Sequence, residues 1–97
     1  MPISRTLIST GAGERYIRRL CKHWSHRFEV TFNDQEGDID FGGGGKCTLD
    51  AIPEGLLVRL EATEEDRPEL QDVIIDHLQR FCPKNEIFEA VWSDPTD

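Results

Sequence analysis

Four short segments between residues 28 and 62 alternate apolar and polar side chains, and this constrains the fold more than any other feature of the chain. Phe28–Phe32 reads Phe, Glu, Val, Thr, Phe. Asp38–Phe41 sets Ile39 and Phe41 on one side and Asp38 and Asp40 on the other. Lys46–Ile52 puts Cys47, Leu49 and Ala51 together, opposite Lys46, Thr48 and Asp50. Leu56–Ala62 does the same with Leu56, Val58, Leu60 and Ala62 against Leu57, Arg59 and Glu61. A period of two marks a strand buried on one face only. Asn33–Gly37 and Pro53-Glu54-Gly55 read as turns, and Gly42–Gly45 as a flexible loop.

Two helical patterns flank these strands. From about Ala12 to Ser25 the apolar positions are Tyr16, Ile17, Leu20, Cys21 and Trp24, one face of a 3.6-residue period. The second helix carries Leu70, Val73, Ile74, His77, Leu78 and Phe81 and is stopped by Pro83. Thr63–Asp66 and Asp66–Glu69 both match a capping box, and Pro68 favours the later start. Ile3–Ser9 reads as an opening strand and Ile87–Trp92 as a closing one, with Ser93–Asp97 a frayed tail. The order β-α-β-β-β-β-α-β predicts an α+β fold. It is one domain over residues 1–97, a single mainly antiparallel sheet with both amphipathic helices packed on one face. The other sheet face stays polar or serves a partner, including a second copy of the chain as a homodimer.

Charge is distributed unevenly. Residues 1–27 carry six basic groups and one acid, a net +5, whereas residues 28–97 carry five and eighteen, a net −13. The basic part lies mostly on one side of the first helix, at Arg15, Arg18, Arg19 and Lys22. The whole chain is acidic, with net charge −8, which is the wrong sign for a dedicated nucleic-acid binder. No apolar run is long enough for a membrane span or a signal peptide. Three cysteines do not suit a disulfide framework, and a reduced cytoplasm fits best.

The densest reactive cluster is Cys21-Lys22-His23-Trp24-Ser25-His26, at the end of the first helix. Two readings follow from it. Lys22, His23, His26 and Arg27 gather cations on an acidic protein and would engage a small anionic ligand or a protein partner. Cys21, His23, His26 and Cys47 are instead soft and borderline ligands for a transition metal or a redox site, with His23 and His26 spaced to share a helix face. A cysteine–histidine nucleophile is disfavoured, because Cys21 and Cys47 occupy inward positions. The sequence therefore favours a binding module over an enzyme, and no catalytic residues are assigned. Gly42–Lys46 is not a phosphate loop, because Cys47 and a strand follow it. His77, on the apolar stripe, reads as a core histidine bonded to a backbone carbonyl.

The run Tyr16-x-x-x-Leu20-Cys21-Lys22-His23-Trp24-Ser25-His26-Arg27 resembles the helix motif of a small bacterial family, domain of unknown function 2218. Gly37-x-Ile39-x-Phe41, Cys47-x-Leu49-x-Ala51, His77-Leu78-x-Arg80-Phe81 and Val91-Trp92 extend the resemblance over nearly the whole chain. Arg27, where the family usually has Lys, and the long glycine run depart from the pattern. The family has no established activity, so the resemblance carries over no catalytic residues. Members are sometimes joined to, or encoded beside, siderophore-interacting flavin reductases. The resemblance thus implies an accessory role connected with iron handling.

Overall fold

The computed structural model describes residues 3–81 and 91–93. Five strands and two helices follow one another as β1 (Ile3–Ile8), α1 (Gly13–Trp24), β2 (Glu29–Phe32), β3 (Glu36–Gly42), β4 (Gly45–Ile52), β5 (Gly55–Glu61) and α2 (Arg67–Arg80). The strands form one sheet in the order β1-β5-β4-β3-β2, antiparallel throughout. β2 to β5 pair in sequence, and β1 pairs with the far side of β5, so α1 carries the chain from one sheet edge to the other. α1 lies over β2, β3 and β4, while α2 packs on β5 and against α1. Both helices cover the same sheet face, as the α+β reading expects.

Register explains which side chains form the core. Val30, Ile39, Cys47, Leu60 and Ser4 make one row across the sheet, and Phe32, Gly37, Leu49, Val58 and Thr6 make the next. Cys47, Leu49, Leu56, Val58 and Leu60 are almost completely buried under Tyr16, Ile17, Leu20, Cys21 and Trp24 of α1 and Ile74 and Leu78 of α2. Each fully buried aliphatic side chain contributes about 1.5–3 kcal/mol to folding. β1 reverses the usual polarity. Ser4 and Thr6 point into the core while Leu7 is exposed on the open face, because pairing with β5 commits the strand to the register that buries Leu56, Val58 and Leu60. Ser4 is compensated there, its Oγ accepting from Gln71 Nε2 of α2 at 3.1 Å.

Local structure departs from the sequence pattern at five places. The glycine run closes a hairpin in which the outer two glycines are strand residues: Gly42 pairs with Gly45, and Gly43 and Gly44 form a two-residue turn with φ of 60° and 92°. Gly37, read as part of a turn, is a residue of β3. Asn33 already closes the turn, its Oδ1 accepting from the N–H groups of Gln35 and Glu36 at 2.8 and 2.9 Å. α2 starts late, as Pro68 suggests, but the Asp66 side chain makes no capping bond. The preceding turn is held by Thr63, whose Oγ1 accepts from Asp66 N–H at 3.2 Å, and Asp66 itself is already helical. The expected last strand, Ile87–Trp92, falls largely outside the described residues, and Val91 and Trp92 are not strand. Ser93 is not frayed: its N–H donates to the Arg5 carbonyl at 2.7 Å and its Oγ accepts from Arg5 N–H at 3.0 Å. Residues 94–97 lie outside the described residues.

At Gly37 α1 approaches the sheet closely. A Cβ built there would stand 2.7 Å from Cys21 Sγ and 3.2 Å from Ile17 Cγ2. Gly37→Ala should destabilise the protein by about 1–3 kcal/mol through overpacking. Adding Cys21→Ala should recover part of that loss, because the pair shares one volume. Chemical denaturation of the two single variants and the double variant checks this; strictly additive losses would refute the contact as the cause.

Candidate functional site

The end of α1 is fixed by backbone bonds. Ser25 N–H donates to the Cys21 carbonyl at 2.9 Å, and Arg27 and Phe28 N–H groups donate to the Trp24 carbonyl at 3.0 and 2.8 Å. Ser25 Oγ donates to the Lys22 carbonyl at 2.8 Å. This turn ends the helix at Trp24, so His26 and Arg27 lie beyond it and His23 and His26 do not share a helical face. Lys22, His23, His26 and Arg27 are all exposed. The cation at Lys22 also suits the negative end of the helix dipole.

The structure divides the expected metal set in two. Cys21 and Cys47 are buried between α1 and the sheet, whereas His23 and His26 stand in solvent. Among the described residues, no three His, Cys, Asp or Glu side chains converge as metal ligands. Trp24 anchors an aromatic cluster instead. Its ring centre lies 6.0 Å from Phe28, 5.2 Å from Phe41 and 5.0 Å from His77. Phe28 and Phe41 meet edge-on at 5.0 Å. His77 bonds to the Val73 carbonyl at 2.8 Å, the backbone partner expected of it.

Charge is segregated across the molecule. Arg15, Arg18, Arg19 and Lys22 are exposed on the side of α1 away from the sheet, and none forms an ion pair among the described residues. The open sheet face carries the acids Glu29, Glu36, Asp38, Asp40, Asp50 and Glu61, interrupted by Arg5, Lys46 and Arg59. Thr48 Oγ1 donates to Asp38 at 3.2 Å, and Arg59 donates to Asp50 at 2.7 Å. The acidic and basic parts of the chain therefore do not neutralise each other. Strand alternation already turns Asp38, Asp40, Asp50 and Glu61 outward, and pairing in register assembles them with Glu29 and Glu36 into one acidic grid. The hollow of about 280 Å³ beside Arg27 is lined by Glu29 and Asp40 as well, a poor setting for a small anion.

The two buried thiols are held in the neutral form. Burial, then the Asp38 carboxylate, pushes Cys21 up from 9.0 to about 11. Cys47 is pushed up as well, by burial first and then by Cys21 and Asp38. Because the folded state holds the Cys21 proton more tightly, its contribution to stability is complete below pH 9.0 and is lost as pH rises through about 11. Denaturation midpoints should fall over that window, and Cys21→Ala should flatten the fall. Iodoacetamide should label Cys21 and Cys47 much more slowly in the native protein than in the unfolded chain; equal rates would show that burial does not shield them.

No helix among the described residues is long and apolar enough to cross a membrane. Among curated proteins, none matches the chain. A solved structure that does match is the NMR structure of PA4090 from Pseudomonas aeruginosa. It is 40% identical, with 96% of each chain covered and a TM-score of 0.78. The model of the family described as uncharacterized protein conserved in bacteria, DUF2218, matches residues 5–93. That match takes in the last helical turn with its Cys-Lys-His run, the seat of Cys21 on Gly37 and the Trp24 cluster, and the chain belongs to this family.

Proposed function

We propose that this protein is a small binding module whose α1 surface engages an acidic partner protein. Lys22, His23, His26 and Arg27 form one end of that surface, and Arg15, Arg18 and Arg19 continue it along the helix. The exposure of these helix cations without ion-pair partners among the described residues carries the reading. A cationic stripe along a helix of 12 residues spans about 18 Å, which suits an extended acidic segment better than a small anion. Carboxylates flank the hollow beside Arg27 and make a small-anion site there less favourable. The net charge of −8 keeps acidic molecules away from the rest of the protein, so docking would be confined to α1.

A polyglutamate peptide serves as the probe, read by fluorescence anisotropy. It should bind at low ionic strength and weaken steeply with added salt. Lys22→Glu combined with Arg27→Glu should weaken binding by at least about tenfold, since each reversal turns attraction into repulsion. Unchanged affinity in that variant would refute the surface. The iron-handling setting implied by the family resemblance is a separate proposition. It requires that deletion of the gene slow growth under iron chelation and leave growth in replete medium unaltered.

A further inference from the structure

His23 and His77 come from different helices and meet at the end of α1 with ring centres 5.5 Å apart and planes inclined by 44°. Two features make the pair more than a stacking contact. The first is the hydrogen bond of His77. A carbonyl oxygen can only accept, so the 2.8 Å contact between Nδ1 and the Val73 carbonyl places the imidazole proton on Nδ1. The Nε2 lone pair is then available. Metal-binding histidines are fixed in the same way, the second ring nitrogen donating to a backbone carbonyl or a carboxylate. The ring is also held in place by Trp24, whose centre lies 5.0 Å away.

The second feature is the separation. With metal–nitrogen bonds of about 2.0–2.1 Å, and ring centres about 1.1 Å beyond the nitrogens, two imidazoles on one tetrahedral ion stand about 5–5.5 Å apart, centre to centre. The observed centre-to-centre separation of 5.5 Å lies at the upper end of that range. His23 is exposed and His77 half-buried, so an ion at this position remains open to water on one side.

We propose that His23 and His77 form a two-histidine site for a divalent transition metal of the zinc, copper and nickel group, the ions that imidazole nitrogen prefers. Water completes the coordination, because no third His, Cys, Asp or Glu joins the pair among the described residues. The site uses one histidine of the sequence-derived metal set and replaces Cys21, Cys47 and His26 with His77. It shares only His23 with the acidic-partner surface, and Lys22 and Arg27 are not ligands, so the failure of one reading leaves the other standing.

Calorimetric titration of the reduced, untagged protein with zinc chloride tests the proposal. One equivalent of zinc should bind. His23→Ala removes an exposed side chain and should weaken binding by at least about tenfold. His77→Asn should do the same. His26→Ala should leave zinc affinity unchanged. Nitrogen-15 spectra of the imidazoles should show zinc shifting His77 Nε2, with Nδ1 still protonated. The proposal is overturned if no zinc binds, if His23→Ala binds as the parent does, or if His26→Ala loses as much. Stoichiometric binding to the cysteines in place of the imidazoles would overturn it equally.

Discussion

The contact between Cys21 and the bare backbone of Gly37 sets the geometry of everything around it. α1 must cross the sheet from β1 at one edge to β2 at the other, and it rests on β3 where that strand has no side chain. The thiol fills the space that a Cβ would otherwise take. With the helix at that height, Ile17, Leu20 and Trp24 join Ile39, Cys47 and Leu49 in one buried core. The same seating fixes the rotation of α1. Cys21 faces the sheet, so Lys22 faces outward, and Trp24 is delivered to Phe28, Phe41 and His77.

From that rotation follows the electrical character of the molecule. The arginines of α1 point away from the sheet, and the strands present their carboxylates on the opposite side. A single acidic protein thus has a cationic stripe along α1 and an anionic grid on the open sheet face, with the apolar layer between them. Separation across a dry core leaves the charges free to act on other molecules, and isolated surface pairs such as Arg59–Asp50 add little to stability. The two thiols sit inside that layer, protonated and shielded, so their chemistry is subordinate to packing.

Much of this was legible in the residues. The alternation of Lys46–Ile52 and Leu56–Ala62 named the correct inward side chains, and the stripe Tyr16, Ile17, Leu20, Cys21 and Trp24 is the buried face of α1. Strand alternation is a strong signal because a slip of one residue would turn the whole apolar set to water. β1 was not legible in the same way. Ser4 and Thr6 face inward, a choice made by its partner β5 and by Gln71, which are distant in sequence. The role of Gly37 was hidden for a similar reason: a glycine between a polar turn and a strand reads as turn, and only the approach of α1 shows that the strand needs it. At the glycine run only the bounds differ, since pairing of Gly42 with Gly45 extends both strands into what composition alone reads as loop.

At the site, the sequence by itself determined which groups exist near the end of the first helix and that the inward pattern would bury Cys21 and Cys47. It could not determine which of them meet. Helical spacing joined His23 to His26, but the helix stops at Trp24 and separates them, whereas the docking of α2 against α1 brings His77 to His23 from 54 residues away along the chain. Local periodicity fixes faces, because neighbouring residues share one backbone geometry. Proximity between faces on different elements depends on how the core packs, and that belongs to the tertiary structure.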